Sequence, residues 1–111
     1  MKTIGTLVFL MLIVVPPAFS AQIYGSLKEG DRSVGAGVKV IIECAGGTDS
    51  KETDGYGSYN LYVRPTGKCT FRVYYQGKWS VPFTIYSYDD PVRYDFELIR
   101  QGDGQYALKR K

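Results

Sequence analysis

Cys69-Thr70-Phe71-Arg72-Val73-Tyr74-Tyr75, closed by Gln76-Gly77, is the stretch whose reading decides the fold. Cys69, Phe71, Val73 and Tyr75 fall on one side of an extended chain, and Thr70, Arg72 and Tyr74 on the other. That period of two is what a half-buried strand requires. Working outward, Trp79, Val81, Phe83 and Ile85 continue in phase beyond the turn. Pro82 removes a ladder donor there, which predicts an edge or a local bulge. Upstream, Tyr59, Leu61 and Val63 form a core face before Pro65-Thr66-Gly67, and Val38, Val40, Ile42 and Cys44 form another. Ile23, Gly25 and Leu27 open the pattern, and Val92, Tyr94, Phe96 and Leu98 make the last clear strand. Glu29 to Ser33 and Asp89-Asp90-Pro91 break the chain between strands, and the polar stretch Ala45 to Gly57 has room for a short strand around Lys51–Thr53. No helical period of useful length interrupts this series, so the sequence predicts an all-β sandwich or barrel.

The two cysteines test the phase. Cys44 shares parity with Val40 and Ile42, and Cys69 with Phe71 and Val73. Both thiols therefore point into the core by independent counting, as a buried bridge between core strands requires. One disulfide, Cys44–Cys69, is expected in an oxidising compartment. A redox or nucleophilic cysteine would need a CxxC spacing or a histidine partner, and neither exists.

The compartment is read from residues 1–20. Lys2 precedes the apolar run Ile4 to Val15, then Pro16-Pro17 and Ala18-Phe19-Ser20, with small residues placed for cleavage after Ser20. This has the form of a secretory signal peptide. The apolar run falls short of the roughly 20 residues of a spanning helix, so no transmembrane helix is expected in the mature protein. The expected organisation is a cleaved signal over 1–20, a β-sandwich over 21–99, and a polar, basic C-terminal tail over 100–111. The product is expected to be exported, periplasmic or secreted. The whole sequence carries a net charge of +3, and loss of Lys2 lowers it further, which argues against a nucleic-acid partner.

Ile23-Tyr24-Gly25, Gly35-Ala36-Gly37-Val38-Lys39-Val40, Thr53-Asp54-Gly55-Tyr56-Gly57-Ser58-Tyr59 and Gly67-Lys68-Cys69-Thr70-Phe71-Arg72-Val73 together resemble the carboxypeptidase regulatory-like domain. The resemblance spans roughly Gln22 to Leu98. It implies a seven-stranded, Ig-like or prealbumin-like (transthyretin-like) sandwich, to which the residues add one disulfide. It implies little about activity, because its motifs are short and glycine-rich. Cys69 stands where the family commonly has an aromatic residue, so the bridge is a departure from the pattern.

There is no histidine, and there are ten tyrosines. The first fact removes the commonest general base and metal ligand. Among the tyrosines, Tyr59, Tyr75 and Tyr94 fall on core phases, while Tyr56 and Tyr106 fall in a loop and the tail. Tyr24, Tyr62, Tyr74, Tyr86 and Tyr88 fall on the outward phase and are the candidate binding residues. They serve either as cross-strand pairs or as a flat aromatic surface for a sugar or a protein. As one surface they must be contiguous on one sheet. Trp79 reads as a core anchor rather than a ligand contact.

Asp49, Glu52 and Asp54 lie in one polar stretch and Asp89-Asp90 in another, without calcium-loop spacing, so turn formation explains them better than metal binding or glycosidase chemistry. Arg93, Asp95 and Glu97 read as solvated cross-strand charges. A Lys39–Asn60 isopeptide is rejected because both side chains point off the core phase. Lys109-Arg110-Lys111 reads as a solvated end rather than a polyanion contact. No catalytic residue, metal or cofactor is expected. The expected function is monomeric, non-catalytic binding to a protein or carbohydrate of the cell envelope, through the outward tyrosines or an exposed edge strand. The alternative is a structural or assembly subunit of an envelope or secreted complex.

Overall fold

A computed structural model describes residues 21–64 and 67–111. The signal peptide read from residues 1–20 lies outside the described residues. Eleven strands follow one another: β1 (Ala21–Glu29), β2 (Arg32–Ser33), β3 (Lys39–Cys44), β4 (Gly47–Glu52), β5 (Ser58–Val63), β6 (Gly67–Tyr75), β7 (Lys78–Trp79), β8 (Phe83–Ser87), β9 (Val92–Arg93), β10 (Phe96–Arg100) and β11 (Tyr106–Arg110). They form two sheets, and no helix occurs among the described residues.

β1 organises the first sheet. Its first part pairs antiparallel with β5, from Ala21↔Val63 to Ser26↔Ser58, and its other side pairs parallel with β9 at Ile23↔Val92. Further along, it pairs parallel with β10 at Leu27↔Phe96, and β2 folds back onto Lys28 and Glu29. β11 closes the far side against β10. In the second sheet β3 lies between β4 and β6, and both β7 and β8 pair with β6.

The inner faces of the two sheets meet through aromatic rings. Phe71 of the second sheet packs 5.3 Å from Tyr59 and 5.0 Å from Phe96 of the first, and Phe83 lies 4.9 Å from Phe96. Ile23, Leu27, Val40, Ile42, Leu61, Val73 and Ile85 are fully buried around them. Each such side chain contributes roughly 1.5–3 kcal/mol of transfer free energy, which is why alternation fixes the register. Cys44 and Cys69 stand directly opposite on β3 and β6 and form the expected disulfide, with Cα atoms 4.4 Å apart.

Four expectations are corrected. First, eleven strands occur among the described residues where seven are expected, because interruptions split long strands and short partners pair at the margins. One interruption lies at Ser80-Val81-Pro82. Tyr74 pairs with Trp79, whereas Phe71 pairs with Phe83, so three steps along β6 are matched by four on the other strand. The extra residue is a β-bulge, which reverses the faces on either side of it. Ser80 is buried there, and its Oγ accepts the Val73 N–H at 2.9 Å.

Second, and as a result, Trp79 is not a core anchor. It lies on the outer face beside Tyr74, at 5.1 Å between rings, with the Arg72 guanidinium 4.9 Å from its ring centre. Val81, also expected inside, is exposed. Third, residues 100–111 are not a tail outside the domain. Tyr106 and Leu108 are buried, and β11 pairs with β10 from Phe96↔Arg110 to Arg100↔Tyr106. The sandwich-like unit therefore runs to Arg110. Fourth, the short strand expected around Lys51–Thr53 is longer and earlier, as β4, and runs antiparallel to β3.

The β6–β7 hairpin turns on Gln76 and Gly77, with φ of 52° and 81°. Two successive left-handed residues make the tight turn whose twist matches the strands. Gln76 also anchors the core, since its Oε1 accepts the Tyr106 hydroxyl at 3.2 Å.

Candidate functional site

The outward faces of β1 and β5 carry a short polar array. Pairing brings Gln22 opposite Tyr62 and Tyr24 opposite Asn60. Gln22 Nε2 donates to Asn60 Oδ1 at 2.9 Å, and Asn60 Nδ2 donates to the Tyr62 hydroxyl at 3.2 Å. Two side-chain amides and a phenol are thereby held in line, with further donors and acceptors directed at solvent.

β4 provides the wall of this array. Asp49 pairs with Ile42 in the β3–β4 register and so takes the inward phase, but β4 is the edge of its sheet. The Asp49 carboxylate therefore meets the edge of β5. Its Oδ2 accepts the Tyr62 N–H at 2.9 Å and Lys51 Nζ at 2.9 Å, and its Oδ1 accepts the Ser50 N–H at 2.8 Å. One carboxylate thus joins the edges of both sheets.

Two adjoining hollows flank the array. One, of about 700 Å³, reaches past Thr48 and Arg64 to Asp89. The other, of about 550 Å³, runs past Glu52 and Tyr24 to Arg93. Gln22, Lys51 and Tyr62 line both, so the two form one continuous groove. Its floor is aromatic and amide, and its rim carries charges of both signs.

Asp54 and Asp95, like Asp49, are committed to structure. Asp54 Oδ1 accepts the Tyr56 and Ser58 amides at 2.9 and 3.0 Å. Asp95 accepts the Ser26 N–H and the Arg93 guanidinium, each at 2.9 Å. Burial pulls the Asp95 carboxyl upward, but the bonds from Arg93 and Ser26 outweigh it and hold the group below its ordinary value. Asp95 is thus more than the solvated cross-strand charge read from the sequence. Among the described residues no three histidine, cysteine, aspartate or glutamate side chains gather as metal ligands.

Beneath the groove, the buried Tyr59 hydroxyl donates to the Tyr94 carbonyl at 2.6 Å, and the Tyr94 N–H donates to the Tyr24 carbonyl at 2.8 Å. Burial, then the neighbouring Asp95 charge, pushes the Tyr59 phenol well above the usual tyrosine range. A group whose folded-state value is raised stabilises the fold below its unfolded value and loses that contribution as pH rises past about 10. Alkaline unfolding is therefore expected to begin near that pH. Tyr59→Phe is expected to flatten the slope and to lower stability at neutral pH by roughly 1–2 kcal/mol, through the lost hydrogen bond. Urea titrations of both proteins across pH 8–11 measure this.

The five outward tyrosines do not form one surface. Tyr24 and Tyr62 share the outer face of the first sheet, with Tyr24 half-buried and Tyr62 exposed. Tyr74 lies on β6 of the second sheet, and Tyr86 lies on β8 opposite Lys68. Six residues of strand separate Lys68 from Tyr74, a distance of roughly 20 Å. Tyr86 stacks with Tyr88 at 6.4 Å as a separate pair. The five therefore fail the condition of contiguity on one sheet, because β1 and β5 pair in one sheet while β6 and β8 pair in the other.

No protein-family model matches this chain, and no curated protein matches it. Among solved structures, it is similar to a 9R-lipoxygenase from Cyanothece PCC8801 with a TM-score of 0.41 and 13% identity. The match covers 93% of this chain and 14% of that one. So low a likeness transfers neither fold nor chemistry. The site is therefore read from its own residues.

Gln22, Asn60, Asp49, Lys51 and Arg93 were not among the binding residues expected from sequence. Gln22 and Asn60 share the outward phase of Tyr24 and Tyr62, and that parity was available in the sequence. Asp49 and Lys51 carried no such signal, since their place depends on β4 lying against the edge of β5. Among the described residues no helix is long and apolar enough to cross a membrane.

Proposed function

We propose that this chain is an exported, non-catalytic β-sandwich binding module of the carboxypeptidase regulatory-like, prealbumin-like kind, and that it engages a cell-envelope glycan through the groove over β1 and β5. The observation that carries the reading is the aligned Gln22–Asn60–Tyr62 array beside Tyr24. Side-chain amides supply paired donors and acceptors for vicinal hydroxyls, and a phenolic ring supplies a flat apolar face for a sugar ring. The mixed-sign rim suits a polar ligand of low net charge. Export is supported by the leader-like residues 1–20 and by the disulfide, which belongs to oxidising compartments.

The test is a glycan array, followed by titration with the best-binding oligosaccharide. Asn60→Ala/Tyr62→Ala is expected to weaken binding by at least about tenfold, the scale of one or two lost buried hydrogen bonds. Tyr74→Ala/Tyr86→Ala is expected to leave it unchanged. Absence of any glycan signal, or the reverse ranking of the two variants, would sink the proposal.

A second reading rests on the opposite sheet. Tyr74, Trp79 and Arg72 form an aromatic–guanidinium cluster on the outer face, with Tyr74 exposed and the other two half-buried, a composition enriched in protein interfaces. It favours a structural subunit of an envelope complex. An envelope pull-down that loses its partner in Tyr74→Ala/Trp79→Ala, while glycan binding is absent, would establish this reading over the first.

A further inference from the structure

A sheet edge exposes backbone donors and acceptors, and each edge of this molecule is treated differently. On β5 the Leu27 N–H donates to the Gly57 carbonyl, which sets the alternation so that residues 58, 60 and 62 face away from β1. Aspartates close two of those three positions. Asp54 bonds both the N–H and the carbonyl of Ser58, and Asp49 takes the Tyr62 N–H. The outer edge of β4 has its Ser50 N–H taken by Asp49 and stays open at Thr48 and at Glu52, whose side chain adds negative charge. On β8 the Tyr86 N–H donates to the Tyr94 hydroxyl at 3.1 Å. β2 has only two residues and is too short to template a partner.

β11 differs. Its ladder with β10 is bounded by Gln101 N–H to the Gln105 carbonyl at one end and Lys111 N–H to the Asp95 carbonyl at the other. In that alternation residues 107 and 109 bond β10, while the N–H and carbonyl groups of Tyr106, Leu108 and Arg110 face outward. The Tyr106 carbonyl accepts the Val81 N–H at 2.8 Å. Among the described residues no side chain or strand meets the outward backbone groups of Leu108 and Arg110. The edge is therefore shut at its first residue and open over the remainder.

The side chains along that opening have a pattern. Leu108 points into the core and is buried, while Lys109 and Lys111 are exposed on the outer phase. Glu97 is Lys109's cross-strand neighbour on β10, and no ion pair joins them among the described residues. Arg110 is held back, with its guanidinium 4.2 Å from the Tyr94 ring centre and Nη2 donating to the Arg93 carbonyl at 2.9 Å. A strand added here would meet an apolar position beside Leu108 and positive charge on the outer face beyond it, at Lys109 and Lys111. A second copy of this edge would bring lysines against lysines, which disfavours self-pairing.

The geometry points to β11 as a docking edge for an extended segment of a partner protein, one that alternates acidic and apolar residues and adds a strand beyond Leu108–Arg110. The affinity comes from main-chain bonds and the selectivity from Lys109 and Lys111. This site lies apart from the β1–β5 groove and takes a different class of ligand, so it stands or falls independently of glycan binding.

The probe is a short synthetic peptide alternating glutamate and valine, beside a peptide of the same composition with the alternation scrambled. Binding of the alternating peptide is expected to protect the Leu108 and Arg110 amides from hydrogen exchange and to weaken with salt. Lys109→Glu/Lys111→Glu is expected to reduce affinity by about tenfold or more. Arg110→Ala keeps the edge amide and is expected to bind. Arg110→Pro deletes an amide that the β10 ladder does not use and is expected to lose binding. A urea melt checks that Arg110→Pro is folded, and if it is not, the exchange measurement on the unaltered chain decides alone. Equal binding of the scrambled peptide, protection elsewhere than β11, equal loss in Arg110→Ala and Arg110→Pro, or binding to anionic vesicles in place of the peptide would each overturn the proposal.

Discussion

Replacing Gly25 by alanine is expected to cost the domain on the order of 3–5 kcal/mol, as large a loss as a single added methyl can cause. Gly25 sits in the middle of β1, between β5 on one side and the β9–β10 crossing on the other. A Cβ there would collide with the Tyr94 carbonyl oxygen and lie 2.6 Å from its carbon. Both are backbone atoms, so no rotamer change relieves the clash. The Tyr94 peptide cannot retreat cheaply, because its N–H bonds the Tyr24 carbonyl and its carbonyl accepts the Tyr59 hydroxyl. Moving it breaks both bonds and displaces a ring packed against Phe96. Gly55→Ala is the control: a Cβ there meets nothing within 4 Å, and its φ is not positive. That variant is expected to be neutral or slightly stabilising, by up to about 1 kcal/mol, through reduced freedom of the unfolded chain. Urea midpoints for the two variants beside the unaltered protein measure the contrast, and comparable midpoints would refute the account of Gly25.

The second large effect is expected from Cys44→Ala/Cys69→Ala. The bridge closes a sequence separation of 25 residues, for which the chain-entropy relation gives roughly 3–3.5 kcal/mol. Small domains have about 5–15 kcal/mol in total, so this is a large share. The native strands need little rearrangement when the bridge is absent. β3 and β6 remain paired from Lys39↔Tyr74 onward, and Phe71 and Ile42 remain buried between the sheets. The loss should therefore appear as a lower urea midpoint with an unchanged native spectrum. A shift below about 1 kcal/mol would show that the unfolded chain is already confined in this region.

The strand faces were legible because burial imposes a period of two on most of them. Val40, Ile42, Leu61, Phe71, Val73, Phe96 and Leu98 are all inside as the sequence predicts. The reading failed where one residue alters the count. The bulge at Ser80–Pro82 turned Trp79 outward, and Pro82 had signalled an irregularity without showing that it would reverse a face. Tyr106 and Leu108 are only two apolar side chains among polar neighbours, so their burial depends on the β10–β11 turn rather than on local pattern. The candidate site was legible only in part. Tyr24 and Tyr62 were found by phase, but their separation from Tyr74, Tyr86 and Tyr88 depends on strand order, which parity does not encode. Asp49 was read as a turn former, and its role follows from two edges meeting.

The central position of β1 has a consequence for the order in which the chain becomes structured. The second sheet draws its strands from residues 39–87, and its disulfide lies wholly within that span. The first sheet cannot close until β10 has been added beside Leu27, so the earliest apolar strand waits for one of the last. Pairings so distant in sequence carry a large loop-closure entropy before any contact repays it, which makes assembly slow. Until then Leu27 lacks its β10 neighbour Phe96. A nascent chain of this kind is safest held unfolded until β10 and β11 are available.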